Sequence, residues 1–457
     1  MSRPHVGLGV VLIEGADAVS SGVTDQSIPL PVVTPHHAVP DGVTHWAVVP
    51  AGVRLLPDFT LRMTAALADG AACAYCDFTV QGQRIRVGEW SVERSRWQAY
   101  TGPVMVVPAG TDPALAPWRR LEQPRRTGHA TYVPQVLYTS VTDQIGEITA
   151  SQRSLIWSEL PYSWDVAGRR HLSTTPRVSI VIPTRGASRV VRGRPARFID
   201  TCLASLASDL SAPEVDLVVV TGTDDEHRYL DRWQGALGTR MQITTVAPPF
   251  NFAERINAGA AIAHGEYLVA LNDDVAVITP HCLAELVALA SEPAVGAVGA
   301  RLLHEDGTVQ HGGHVFHGGG VHLLDSRDTD TAGPRERNEI DRDVSGVTAA
   351  CLVQRRDVWQ QLGGMDPAFP VAFNDVDYCE RMRAAGLRIV VCNSVRMHHF
   401  ESRSRAGTAR QSEVDLLRSR WASSLDSPDP FTPDWEPRPR RRRLRDRLTA
   451  RLRRNPS

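Results

Sequence analysis

Lysine is absent from all 457 residues, so each of the 50 basic side chains is an arginine. This absence reads as GC-rich coding rather than as a physical requirement. With 51 acidic residues the formal net charge is −1, and no global field draws the chain to nucleic acid or membrane. Long apolar runs are missing too: nothing approaches the roughly 20 apolar residues of a membrane-spanning helix. The best run, 7–13, has neither a basic flank nor a cleavage site and does not read as a secretory signal. Cysteine is sparse, and seven at irregular spacing fit a reducing compartment, so the expected location is the cytosol. Cys73 and Cys76 make a lone C-x-x-C whose side chains diverge on a strand, which favours packing over zinc. A G-x-S-x-G elbow, a Walker loop and a G-x-G-x-x-G after a strand are also lacking.

What is present divides by texture. The chain is too long for one hydrophobic core, and 42% apolar residues suffice for more than one packed interior. Residues 1–130 are punctuated by Pro and Gly, with a strand predicted at 46–49 and a helix at 56–67. Residues 131–171 begin with a strand-like alternation at 131–138 and continue as a polar linker. From 177 onward strands and helices alternate: strands at 177–183, 215–221, 241–246 and 266–271, helices at 196–207 and 254–263. Such alternation specifies an α/β layered domain with a mostly parallel sheet, whose ligands lie beyond the carboxyl ends of the strands. The segment WAVVPAGVRLLPDF (46–59) can be laid over YLVALNDDVAVITPHCL (267–283). The first region therefore reads as a decayed copy of the second, with Pro50, Ala51 and Gly52 where the later copy has Asn272, Asp273 and Asp274.

Four clusters carry chemistry. Asn272-Asp273-Asp274 ends a buried strand, where hard oxygen ligands suit Mg²⁺ or Mn²⁺ bridging a diphosphate; the competing reading is a surface turn. Asp375 and Asp377 fall near the start of a helix predicted at 379–385. Capping explains one acid, and a general base that accepts a hydroxyl proton explains a second. His398 and His399 follow an apolar strand at 387–392. They point to opposite sides of an extended segment, so at most one completes a metal site. The run 310–320, rich in Gly and His, admits either a zinc site or an acceptor-side loop lining the crevice through Gln310 and His311.

Taken together, VSIVIPTRG (178–186), PFNFAERINAGAAIAHGEYLVALNDDV (249–275), VGAVGARLL (295–303), VQHGGHVF (309–316), VTAACLVQRRDVW (347–359), GGMDPAFPVAFNDVDYCERMRAAG (363–386) and HHFESRSR (398–405) resemble family 2 glycosyltransferases of the GT-A fold. The closest likeness is to bacterial enzymes that build O-antigen, rhamnan and other cell-envelope polysaccharides. The resemblance implies a Rossmann-like GT-A α/β domain over 172–408, with a mostly parallel sheet flanked by helices. Before it come a smaller, degenerate GT-A-like region (1–130) and a linker (131–171), and after it a C-terminal extension (409–457). It implies that Pro183, Thr184, Arg185, Arg255, Asn257, Asn272 and Asp273 serve the donor nucleotide, that Asp274 and His398 hold a divalent cation, and that Asp375 is the base. Gln310, His311, Asn374 and Asp377 would lie on the acceptor side. Two departures stand out: Asn272 replaces the first acid of the D-x-D motif, and Thr221-Gly222-Thr223 replaces the acid usual after the second strand, leaving the nucleotide open.

The implied activity is inverting transfer of a sugar, with rhamnose a first candidate, from a nucleoside-diphosphate donor to a glycan or lipid-linked glycan. The rivals are a catalytically inactive carbohydrate- or nucleotide-binding scaffold and a nucleic-acid binder; the second lacks interleaved aromatics. Ten arginines crowd the last twenty residues, and Leu444, Leu448 and Leu452 recur every fourth position among them. That tail reads either as a basic amphipathic anchor for an anionic membrane surface at the inner face of the cell membrane or as a solvated end.

Overall fold

The structure, a computed structural model, describes residues 8–12, 22–27, 32–33, 40–111, 130–140, 146–147, 160–164, 169–191, 193–212, 214–222, 228–318, 320–323, 339–400 and 409–433, with the single positions 120 and 124. The arginine tail, Thr223 to Asp225 and the segment 401–408 lie outside the described residues.

The β-branched runs form strands because their side chains pack on both faces of a sheet. In the second region these are β11 (Val178–Pro183), β12 (Val215–Thr221), β13 (Met241–Thr245), β14 (Tyr267–Leu271), β15 (Val275–Val277), β16 (Val295–Leu303), β17 (Val309–His311), β18 (Arg342–Asp343), β19 (Cys351–Arg355) and β20 (Arg388–His399). They make one ten-stranded sheet in the order β13-β12-β11-β14-β19-β16-β20-β15, with β17 on β16 and β18 on β20. Parallel pairing runs through the four strands read first from the sequence; beyond β14 the sheet is mixed. Ile180 and Ile182 pack in one layer with Ile199 and Leu203 of α2 (Phe198–Ser205). Val181 faces the other layer with Ala253 and Ile256 of α3 (Phe252–Ile262), whose first turn is capped by the Asn251 side chain.

The first region is an eight-stranded sheet built from β1 (Leu8–Leu12), β2 (Val32–Val33), β3 (His45–Val49), β4 (Val53–Leu55), β5 (Ala74–Val80), β6 (Gln83–Ile85), β7 (Val106–Pro108) and β8 (Thr131–Ser140). Its order is β2-β1-β3-β7-β5-β8-β4, with β6 on β5. Strand by strand this is the second sheet without β13 and β18. Every matched pair also has the same direction: β1 with β3 parallel, β3 with β7 antiparallel, β5 with β8 parallel, β4 with β8 antiparallel. The helix between β4 and β5, α1 (Phe59–Leu67), takes the place of α4 (Cys282–Ala290) between β15 and β16. Cys73 and Cys76 are buried free thiols in this core.

Two boundaries differ from the sequence reading. The supposed linker 131–171 begins as β8, which lies inside the first sheet, because Tyr138 and Leu137 supply core side chains that a linker would leave in water. It ends as a hairpin, β9 (Tyr162–Trp164) with β10 (Arg170–Leu172), packed on the catalytic layer. The supposed extension from 409 likewise contributes α6 (Gln411–Asp426), whose Leu417 and Leu425 cluster with Phe316, Phe369 and Val376.

A buried ion network joins the regions. Arg170 bonds Glu285 at 3.1 Å and also contacts Asp341, while Arg96 bonds Glu292 at 2.6 Å and also contacts Glu93. Arg388 bonds both Glu292 and Asp343 at 2.7 Å. Asp343 in turn accepts from Ser91 Oγ at 2.7 Å and the Glu93 N–H at 2.9 Å, at the start of a short helix (Val92–Ser95) in the first region. Among the described residues no helix is long and apolar enough to cross a membrane.

Candidate active site

The rim beyond the carboxyl ends of β11 and β14 gathers most of the expected residues. Pro183 closes β11 and is paired with Val220. Thr184 donates its hydroxyl to Asp273 Oδ2 at 2.6 Å, and its carbonyl accepts from Arg255 Nη1 at 2.7 Å. Arg185 is exposed and lies 3.9 Å over the Phe250 ring, while Arg255 lies 4.7 Å from the same ring. Phe250 thus holds two guanidiniums beside the strand end, a feature that sequence reasoning missed because an aromatic in a loop carries no pattern. Asn257 sits elsewhere: its Nδ2 donates to the Met365 carbonyl at 2.8 Å and its Oδ1 accepts the Met365 N–H at 3.0 Å. Both halves of its amide are occupied in anchoring that loop, so the donor-binding role expected for it is replaced by a supporting one.

Asp274 is 8% exposed, and the nearest imidazole is that of His399, with Nε2 3.2 Å from Asp274 Oδ1. His398, the expected metal ligand, turns its Nδ1 to the His304 carbonyl at 3.0 Å and stacks on Phe400. The correction follows from strand length. β20 runs through His399, so the two histidines alternate across the sheet, and pairing of Val275 with His399 sets the second one beside Asp274.

The protonation of His399 can be read from its neighbours. Gln310 Nε2 donates to the His399 carbonyl at 3.4 Å, which turns Gln310 Oε1 toward His399 Nδ1 at 2.8 Å. An amide oxygen only accepts, so Nδ1 carries a proton. Asn272 Nδ2 lies 3.3 Å from Nε2 and donates there, which leaves Nε2 a lone pair. That lone pair and an Asp274 oxygen face each other across 3.2 Å, an opposition that a cation relieves. Among the described residues no group of three or more His, Cys, Asp or Glu converges as a cage. A pair of this kind fits Mn²⁺ or Mg²⁺ completed by phosphate and water oxygens, and does not fit a closed zinc site.

Asp375 approaches from the other side. α5 (Asn374–Ala384) starts five residues earlier than the sequence pattern suggested, after Phe373 at φ +60°. Asp375 therefore lies in its first turn, with Oδ1 accepting from the Val376 N–H at 2.9 Å and Oδ2 from the Ala349 N–H at 3.2 Å. The next residue, Ala350, accepts from the Asn272 N–H at 3.1 Å, so one short segment touches both the base candidate and the cation candidate. His311 Nε2 accepts the Thr348 N–H of that segment at 3.2 Å. Burial, helped by His314, His399 and Arg342, pushes His311 well below the usual histidine range and keeps it neutral.

The remaining acceptor-side expectations are corrected. Asp377 is fully buried and accepts from Arg381 Nε, Arg420 Nη1 and Trp421 Nε1, each at 3.0 Å. It fastens α6 to α5, because three donors leave a buried carboxylate no capacity for substrate. Asn374 is 5% exposed, with Nδ2 on the Phe369 carbonyl at 3.4 Å. Gln310 and His311 are 3% and 1% exposed and contact site residues rather than open cleft. Together with His314, His311 forms a T-shaped ring pair at 5.3 Å, a packing arrangement rather than a zinc site.

A sheet of this topology, with its carboxylates gathered on one rim, defines a GT-A glycosyltransferase. Residues 176–422, more than half of the chain, match the family described as Glycosyltransferase like family 2, and the chain belongs to that family. It is 34% identical over 310 residues to the uncharacterised protein y4gI of Sinorhizobium fredii (strain NBRC 101917 / NGR234), covering 64% of this chain and 32% of that one. It is 35% identical over 243 residues to the O-antigen biosynthesis protein RfbC of Myxococcus xanthus, covering 51% of this chain and 18% of that one. The chain thus spans a third or less of the length of these relatives. Similar solved structures include GalNAc-T7 with UDP, GalNAc and Mn²⁺ (TM-score 0.41, 13% identity, 55% of this chain and 50% of that one). Another is the mannosyltransferase PcManGT of Pyrobaculum calidifontis with GDP-Man and Mn²⁺ (TM-score 0.39, 17% identity, 62% and 73%).

Proposed function

We propose that this glycosyltransferase moves a sugar, with inversion and with a divalent cation, from a nucleoside-diphosphate donor to a hydroxyl of a growing cell-envelope glycan. The observation that carries the reading is the segment 348–350, which ties Asp375 and the Asn272–Asp274 turn to one rim. Asp375 takes the proton of the acceptor hydroxyl as that oxygen bonds to the anomeric carbon, on the face opposite the departing nucleoside diphosphate, whose bond to the sugar breaks. Bound at Asp274 and His399, a divalent cation would supply charge neutralisation at the departing diphosphate. Arg185, exposed beside the same strand end, is placed to meet donor phosphate.

The likeness to a protein named for O-antigen biosynthesis supports an envelope glycan, free or lipid-linked, as acceptor, and makes dTDP-rhamnose a sensible first donor. The scaffold alternative has against it a carboxylate at each of the two working positions. Asp375→Asn is expected to lower turnover by about 10² to 10⁴ while donor binding, measured calorimetrically, persists; undiminished turnover on the true acceptor would remove Asp375 from the role. Peripheral placement at the inner face of the membrane belongs to the same reading through the arginine tail. A deletion of residues 437–457 that leaves the membrane-bound fraction unchanged would end it.

A further inference from the structure

Gln310 stands in a sequence run whose glycines and histidines suggested an acceptor loop, yet it is buried and has both ends of its amide on one residue, His399. A neutral imidazole exists as two tautomers, and only the one protonated on Nδ1 offers a lone pair at Nε2, the nitrogen that faces Asp274. The orientation of the Gln310 amide is not arbitrary. The His399 carbonyl accepts from Nε2, which leaves Oε1 for Nδ1, and the reversed amide would set an oxygen against a carbonyl oxygen. Strand pairing makes the placement rigid, since β17 holds Gln310 against β16, which in turn pairs with β20 through Leu303 and His398. We propose that Gln310 is a positioning residue, whose bidentate hold on His399 selects the tautomer that presents Nε2 to a divalent cation beside Asp274.

The proposal rests on the assignment of Asp274 and His399 as cation ligands and adds a residue that never touches the cation. Carbonyl partners of this kind raise ligand basicity and fix ring orientation, and their loss typically weakens metal binding about 10- to 100-fold. Mn²⁺ titrations of the full chain without donor, read by electron paramagnetic resonance of the free ion, test it on wild type, Gln310→Leu, Gln310→Glu and Asp274→Asn. Gln310→Leu is expected to weaken Mn²⁺ by about 10- to 100-fold, while Gln310→Glu, still an acceptor for Nδ1–H, stays near wild type. Wild-type affinity in Gln310→Leu, with Mn²⁺ lost in Asp274→Asn, overturns the proposal alone. Wild-type affinity in Asp274→Asn overturns the cation assignment beneath it. Nitrogen-15 spectra of histidine-labelled wild type give a second readout that needs no variant. His399 is expected to be protonated on Nδ1 before any metal is added, and a resonance pattern showing the proton on Nε2 refutes the inference.

Discussion

The two sheets of this protein share strand order, strand directions and the helix that follows the crossing pair, yet only one of them carries a site. Register makes the contrast residue by residue. Val53 pairs with Ser140 in the first sheet as Val275 pairs with His399 in the second. Gly52 precedes Val53 as Asp274 precedes Val275, and Gly52 has φ +77°, a conformation that favours a residue without a Cβ. Both proposed cation ligands are therefore replaced in the first sheet, by a glycine and a serine, while Trp46, Val48 and Tyr138 keep its core buried. The lesson is that the fold is held by strand interiors and the chemistry by strand ends. The ends can be exchanged with no cost to the layers beneath.

That comparison can be broken most directly at the matched positions. Asp274→Asn and His399→Ala should each lower turnover by roughly 10³, the order expected when several kcal/mol of charge stabilisation is lost. Ser140→Ala, and also His398→Ala, should leave it unchanged. Rates measured with saturating donor and Mn²⁺ decide, and a large loss in Ser140→Ala would show that the first sheet retains a working end.

A smaller effect, seen in stability rather than rate, should come from the ion network that makes the first sheet a support for the second. Arg170→Met leaves Glu285, Asp341 and Glu93 without a buried cation and should cost about 3–5 kcal/mol in urea unfolding. An unchanged midpoint would mean the two regions are held together by other contacts. The same network sets an acid limit. Burial pushes Glu292 upward, but Arg96 and Arg388 outweigh it and hold its carboxyl at about 2 against an ordinary 4.5. A folded value below the unfolded one contributes stability that is complete above about 4.5 and is lost as pH falls toward 2. Glu292→Gln should flatten that acid-side slope.

Much of this was legible in the residues. The runs 178–183, 215–221 and 267–271 declare buried strands through unbroken β-branched and apolar side chains, and the structure places strands there with ends shifted by a residue at most. The repeat of 46–59 over 267–283 was also visible. Less legible was β8, since a strand with polar residues on one side resembles a linker until β4 and β5 are known to flank it. The start of α5 was hidden because Phe373 enters at positive φ, which no periodicity reports.

For the site, local pattern supplied the types of group and their approximate place: acids after a strand, acids at a helix start, a histidine pair on an extended segment. Residue chemistry alone determined that at most one histidine of the pair could join Asp274. Which one was decided by the register of β20 against β15, a long-range hydrogen-bonding relation in which a shift of one residue reverses the face. The separation of Asp375 from Asp377 was decided the same way. Both lie in one helical turn, but α6 brings Arg420 and Trp421 onto Asp377, while Ala349 reaches Asp375 from a strand loop. Contacts made across many residues of chain depend on how layers pack, and no local stretch of sequence encodes them.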